Sequence, residues 1–361
     1  LRKNKVQVFA PTREQAKIEW SKAYAMRIAE KYEIPGAPAF DVIESVKELE
    51  KLGAFSRKFG TSFVVKADGL MGGKGVFVGG DHFHNLKDAR KITRQLLERG
   101  PVVLQEKLEG VEFSGHYIAG GGVFFTCPYS QDHKRAFEGD KGPNTGGMGS
   151  YSDESHSLPF LSQKDLSQAR KIAEAVFEAV KKETGSGYTG VLYPAFMKTS
   201  AGIKWLELNC RFGDPEVVNI LPILNDDFAE VAYAAATRKL KRISELEFRG
   251  VATVVRYGAP KGYPEKPSSG DLIKINEKEI KKVGRVYYGD ARLEKEEAGV
   301  KTIKTMESRT FAIFAEGKNL VVAKQKAGNA FKSHVEGEYH SRGDIPDFNR
   351  IKRLKRHFGI K

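Results

Sequence analysis

Apolar positions along this chain switch between a helical and a strand period, and the switches mark out its elements. Behind Pro11, the sequence Thr12-Arg-Glu-Gln15 forms a capping box, and Ala16, Trp20, Tyr24 and Ile28 recur at helical spacing. This predicts one helix running to about Tyr32. Shorter helical patterns cover about 44–59 and 86–99, and a strand follows at Val102–Glu106. Residues 113–125 alternate weakly and predict strands turned at Gly120-Gly-Gly122. A polar stretch over 130–159 predicts a long loop, the kind that carries function. Leu166, Ala169, Ala173, Val176, Phe177 and Val180 form the stripe of an amphipathic helix ending near Thr184. Strands at 191–198 and 203–210 and a helix at 226–239 come next. Past the turn-rich run from Gly258 to Gly270, strand patterns at 285–288 and 310–314 predict a small β-rich domain to about 345. The fold class expected is α+β, with 39–106 as a small unit of its own and 346–361 as a basic tail helix.

Two patterns carry chemistry. In Trp205-Leu-Glu-Leu-Asn-Cys-Arg211, strict alternation turns Leu206 and Leu208 to a core and sets Glu207, Asn209 and Arg211 on the opposite face. A carboxylate and an amide oxygen two residues apart, with an arginine beyond, suit a hard cation bound to phosphates. The second pattern is a glycine-rich flap. Phe63-Val-Val-Lys66 is followed by Gly69, Gly72, Gly73 and Gly75, with Lys74 among them, before an apolar run resumes at Val76. Two strands joined by such a loop let backbone N–H groups approach phosphates closely. It is not a P-loop: Lys74 stands where the second glycine belongs and Gly75 replaces the Ser/Thr. Gly185-Ser-Gly187-Tyr-Thr-Gly190 matches a dinucleotide fingerprint, but a helix precedes it and a strand follows, so it reads as a helix cap and turn. Within 131–149, Asp132, Lys134 and Arg135 suit a small zwitterion or a phosphate. Asn144-Thr-Gly-Gly147 offers backbone N–H groups.

Composition narrows the field. The chain has 361 residues, 40% of them hydrophobic, and no apolar run of membrane-spanning length. Its two cysteines, Cys127 and Cys210, make no disulfide framework and read as small buried thiols in a reducing cytoplasm. The 60 Lys and Arg against 46 Asp and Glu leave +14, which fits an anionic substrate. The charge is spread over helices and loops, so no specific nucleic acid is expected. Leu1 is not a methionine, and an upstream segment is expected.

An ordered set of motifs adds a family resemblance. They are Ser21-Lys22, Val64-Val-Lys-Ala-Asp-Gly-Leu70 with Gly73-Lys-Gly75, Glu109-Gly-Val-Glu-Phe-Ser114, Gln131-Asp-His-Lys-Arg135, Gly142-Pro-Asn-Thr-Gly-Gly-Met-Gly149, Gly190-Val-Leu-Tyr193 and Glu207-Leu-Asn-Cys-Arg-Phe-Gly-Asp-Pro-Glu216. Together they resemble the phosphoribosylamine–glycine ligase family of ATP-grasp enzymes in purine biosynthesis. The resemblance implies an ATP-grasp domain over 1–244 with a lid at 39–106, then a β-rich domain over 245–345. ATP would lie against Lys22 and Lys66, under the flap residues Gly72, Gly73, Lys74 and Gly75. Gln105, Glu106, Lys107 and Leu108 would form the adenine-reading hinge, and Glu112 would reach the ribose. Glu207 and Asn209 would hold Mg²⁺ or Mn²⁺. Arg211, Asp214, Lys134 and Arg135 would act on the transferring group, and Asp132, Asn144, Thr145, Gly146 and Gly147 would bind substrate. The implied reaction phosphorylates glycine, then joins it to phosphoribosylamine; a cytoplasmic monomer is expected.

Three departures stand out. The family's N-terminal α/β domain does not precede Val8, and Met71-Gly72 replaces a pair of alanines. Met306-Glu-Ser-Arg-Thr310 stands where the family has Gly-Gly-Arg-Val. The alternatives are another ATP-grasp carboxylate–amine ligase and a nucleotide-binding module without turnover.

Overall fold

A computed structural model describes residues 1, 4–70 and 75–360. They form two compact units, the first comprising Leu1–Thr126, Gln163–Arg211 and Val231–Ser244 and the second the remainder.

In the first unit, one antiparallel sheet runs in the order Phe40–Ile43, Val102–Glu106, Phe63–Ala67, Val76–Val78. Helices Glu50–Phe59 and Leu86–Leu97 pack against it around Ile43, Leu52, Phe55, Phe63, Val65 and Leu104. Asn85 starts the second of these helices by accepting from the Asp88 N–H at 2.9 Å. The other sheet runs Gly202–Asn209, Gly190–Thr199, Tyr117–Gly120, Val123–Thr126, with Val111–Ser114 also paired to Gly190–Thr199. Helix Gln163–Thr184 covers both long strands of this sheet and buries Ala169, Ile172, Ala173, Val176 and Val180. Gly185 follows with φ +69 and the next strand opens at Gly190, so the fingerprint-like run is a helix cap and turn.

Two expectations for this unit need correction. The helix foreseen from the capping box to about Tyr32 is two helices, Lys17–Trp20 and Lys22–Lys31, separated by Ser21 in an extended conformation. Both bonds of the box form, at 3.0 and 3.2 Å. Trp20 is exposed, while Ile28 is buried as expected and Ala23, Ala25, Met26 and Ala29 complete the buried face. The strand Gly202–Asn209 does not alternate strictly either: its register slips between Trp205 and Glu207, so Leu206 bulges and is only half-buried while Leu208 is buried.

In the second unit a five-stranded sheet runs Gly284–Tyr288, Phe311–Gly317, Ala252–Gly258, Gly149–Ser152, Gln131–Asp132. Helix Leu320–His334 packs on three of its strands. A four-stranded sheet runs Ala291–Glu297, Val300–Thr305, Leu272–Asn276, Val335–Gly337, over a core of Ile273, Ile275, Ile303, Phe311 and Phe331. The stretch foreseen as a loop over 130–159 holds four short strands, including the pair Arg135–Phe137 and Lys141–Asn144. Gly149–Ser152 hydrogen-bonds to Ala252–Gly258, a wholly buried strand rich in β-branched residues that period alone does not mark. Compactness and sequence order therefore divide the chain differently: 127–162 and 212–230 fold with the segment after 244. The tail is a helix, Phe348–His357, capped by Asp347 and anchored by buried Ile351.

Candidate nucleotide and ligation site

In the first unit the two lysines and the carboxylate strand come together. Lys66 is buried at the end of its strand, and its ε-ammonium donates to the Leu206 carbonyl at 3.2 Å. The Lys66 ammonium thus lies against the bulged residue that precedes Glu207. Lys22, first residue of its helix, donates to the Gly69 carbonyl at 2.8 Å. Burial lowers its pKa below the ordinary lysine value, while Glu207 and Asp68 oppose the drop. An anion at this place would restore what burial removes.

Glu207 and Asn209 sit opposite Ala195 and Tyr193 in the neighbouring strand. The Asn209 amide nitrogen donates to the Tyr193 carbonyl at 3.3 Å, which commits the NH₂ end and leaves the oxygen end out of that bond. One carboxylate and one amide oxygen are hard donors, and Mg²⁺ takes one or two protein oxygens beside phosphate and water. The donor set fits. Arg211 is largely exposed and pairs through Nε with Glu19 at 3.3 Å, while the other Glu19 oxygen accepts from the Cys210 N–H at 2.8 Å.

Gln105 is buried, and Glu106 lies 3.9 Å from Lys204. Lys107 donates to the Gly79 carbonyl at 2.9 Å. With half-buried Leu108 these residues link strand Val102–Glu106 to Val111–Ser114, on which Glu112 is exposed. Gly75 accepts from the Ala67 N–H at 2.8 Å and closes the base of the flap. Gly72, Gly73 and Lys74 lie outside the described residues.

The second unit holds the remaining expected residues. Asp132 and Gly147 touch: a Cβ at Gly147, whose φ is +106, would lie 2.6 Å from Asp132 Oδ1. Only glycine fits there. Thr145 donates to the Lys134 carbonyl through its N–H at 2.7 Å and its hydroxyl at 2.8 Å. Arg135 reaches the Gly142 carbonyl at 2.9 Å and is paired in register with Asn144. The Gly146 N–H donates to the Tyr263 hydroxyl at 3.3 Å. Asp214 accepts from the Tyr257 hydroxyl at 2.7 Å and from Arg309 at 3.0 Å. Burial, and then the Asp214 carboxylate, push the Tyr257 hydroxyl pKa up, so it stays a donor.

Sequence reasoning missed four of these partners: Glu19, Asp68, Tyr257 and Arg309. Each is 43 or more residues from what it holds, and no periodicity links them. Cys127 and Cys210 both have thiol pKa values pushed up to about 12 by burial, so neither is a thiolate nucleophile at neutral pH. Among the described residues no helix is long and apolar enough to cross a membrane.

Known proteins resemble this chain over most of its length. Residues 20–217 match the model of the phosphoribosylglycinamide synthetase ATP-grasp (A) domain. A phosphoribosylamine–glycine ligase of Methanopyrus kandleri is 39% identical over 363 residues, 97% of this chain and 79% of that protein. The corresponding ligase of Methanocaldococcus jannaschii is also 39% identical, over 96% of this chain and 78% of that protein. The crystal structure of the Thermotoga maritima phosphoribosylamine–glycine ligase superposes with a TM-score of 0.79 at 30% identity, covering 93% of this chain and 81% of that one. A biotin carboxylase from Campylobacter jejuni, at 13% identity and a TM-score of 0.69, shares the fold.

Proposed function

The chain belongs to the phosphoribosylamine–glycine ligase family; it is an ATP-dependent ATP-grasp ligase of purine biosynthesis, and we propose the following division of labour among its residues. Lys22 and Lys66 bind the ATP phosphates, with the flap that includes Gly72, Gly73, Lys74 and Gly75 above them. Gln105, Glu106, Lys107 and Leu108 read the adenine and Glu112 the ribose. Glu207 and Asn209 hold a divalent cation, Mg²⁺ or Mn²⁺, which supplies charge neutralisation for phosphoryl transfer. The functional domain is 1–244, with 39–106 as the lid. The observation that supports this reading best is the placement of the Lys66 ammonium against the residue preceding Glu207.

The chemistry needs no nucleophilic side chain. A glycine carboxylate oxygen attacks the γ-phosphorus of ATP, giving glycyl phosphate and ADP. The amine of phosphoribosylamine then attacks the acyl carbon and expels phosphate. Lys22, Lys66 and Arg211 offset charge on the moving phosphoryl group. Lys134, Arg135 and Asp214 serve the transfer, and Asp132, Asn144, Thr145, Gly146 and Gly147 hold the small substrates. A closed lid would keep water from the acyl phosphate. The cytoplasm is the compartment this reaction suits, and a monomer suffices for it.

The test is ADP formation with ATP, Mg²⁺ and glycine, with and without phosphoribosylamine generated in the cuvette. ADP that requires both substrates, and is lost in Glu207→Ala, supports the assignment. ADP formation unchanged in Glu207→Ala overturns the metal role. Nucleotide binding without ADP under any combination favours a binding module.

A further inference from the structure

Helix Lys22–Lys31 begins immediately after the break at Ser21, and the carboxylate of Asp68 fills that break. Asp68 Oδ2 accepts from the Ser21 hydroxyl at 2.9 Å, and Oδ1 accepts from the Ala23 N–H at 3.1 Å. Between these two residues Lys22 reaches the other way, to the carbonyl of Gly69. The start of the helix and the first two residues of the glycine-rich loop are thus joined by three bonds across 45 to 47 positions of sequence.

Neither partner needs this tie for its own sake. The helix already has its cap, since Ser21 Oγ accepts from the Tyr24 N–H at 3.1 Å. The loop base is already closed by the Ala67–Gly75 bond and by the Asp68 N–H donating to the Pro101 carbonyl at 3.0 Å. What the tie adds is a fixed relation between Lys22 and the Asp68-Gly69 pair. A lysine side chain loses rotamer freedom when it is fixed on a ligand, and holding Lys22 in advance reduces that loss.

We propose that Asp68 is a positioning residue for nucleotide binding: it fastens the helix start on both sides of Lys22 to the Asp68-Gly69 pair, so that the Lys22 ammonium is already in place when the phosphates arrive. This rests on the assignment of Lys22 to the ATP phosphates.

The experiment uses the full chain as wild type, Asp68→Ala, Asp68→Asn and Ser21→Ala, titrated calorimetrically with a non-hydrolysable ATP analogue and Mg²⁺. KM for ATP and kcat are read separately. Asp68→Ala is expected to raise both the analogue Kd and the KM about tenfold, with a smaller change in kcat. Asp68→Asn keeps an oxygen for the Ala23 N–H and an amide for the Ser21 hydroxyl, and is expected to stay within about threefold of wild type. Wild-type Kd and KM in Asp68→Ala overturn the proposal, as does an Asp68→Asn that binds as weakly as Asp68→Ala while keeping the wild-type Tm. Should Asp68→Ala not fold, Ser21→Ala decides, although it loses its cap bond to Tyr24 as well as its bond to Asp68: a rise in Kd of about threefold or more, read well below the variant's Tm, supports the tie, and no rise overturns it. The titration needs only the nucleotide. A wild-type chain that binds the analogue yet makes no ribonucleotide product would count against ligation, and the Asp68 variants would still show whether the tie strengthens nucleotide binding.

Discussion

Arg309 donates to Asp214 Oδ2 at 3.0 Å and, through its other terminal nitrogen, to the Gly147 carbonyl at 3.0 Å. One guanidinium thereby locks the turn at Asp214 to the glycine run that was read as substrate-binding. It lies 4.4 Å from the ring centroid of Tyr257, whose hydroxyl bonds to the same carboxylate. Asp214 is about half exposed, so Arg309→Ala should cost only about 1 kcal/mol of stability. Its effect on activity should be larger. We expect kcat/KM for glycine and phosphoribosylamine to fall about tenfold or more, with KM for ATP unchanged. Arg309→Lys should not restore it, because an ammonium cannot reproduce the fork. Steady-state kinetics beside a melting curve check this; unchanged kcat/KM would reduce Arg309 to a structural tie.

The same arginine shows where the sequence stops being readable. Thr12 and Gln15 are three residues apart, so their reciprocal bonds were visible as a pattern. The break at Ser21 was not, because the carboxylate that occupies it lies 47 residues downstream. The helix Gln163–Thr184 was legible from period alone, since it buries one face against the neighbouring sheet, whereas the strand Gly190–Thr199, buried at all but its last position, was legible from its apolar run. Ala252–Gly258 is buried on both faces, so it carries no alternation. The polar stretch from 130 to 159 reads as a loop because its short strands owe their order to that hidden strand. Glu207 and Asn209 were found by spacing on one strand. Arg309 lies 95 residues from Asp214, in a run whose divergence from the family drew attention away from it.

Lys22 gives the site an alkaline limit. Burial holds its pKa below 10.5, with Glu207 and Asp68 limiting the fall. A bound phosphate favours the charged form, so nucleotide binding takes up a proton in the window between the lowered pKa and the restored one. Affinity for ATP should be flat near neutral pH and fall as pH rises through the lowered value. Folding stability moves oppositely: in the same window the unfolded chain binds more protons, so stability from this group rises with pH. Calorimetric titration in two buffers of different ionisation enthalpy reads the uptake directly. Lys22→Arg keeps the charge and should abolish the alkaline fall; a fall that persists in this variant assigns it to another group.

His133 sets an acid limit by the opposite route to a catalytic histidine. Its ring is buried, with Nδ1 3.4 Å from both Arg342 and Asp140. Burial first, and then Arg342 and Arg350, push its pKa down from 6.5 to about 3. At neutral pH it is uncharged, with no imidazolium proton to donate and too little basicity to take one up, so it is neither the general acid nor a poised base. Its linkage to folding is large. Between pH 6.5 and about 3 the unfolded chain carries a proton that the folded chain lacks, so stability is lost as pH falls through that window. The slope from one such group is about 1.4 kcal/mol per pH unit. Urea unfolding at pH 6.5 and 4.5 should show wild type losing about 2 kcal/mol more than His133→Gln between the two conditions. Equal losses would mean that the ring is protonated in the folded state, with Asp140 taking the charge that Arg342 repels. The salt bridge between Arg342 and Asp140, at 2.8 Å, argues against that outcome, because the carboxylate is already engaged by the stronger cation.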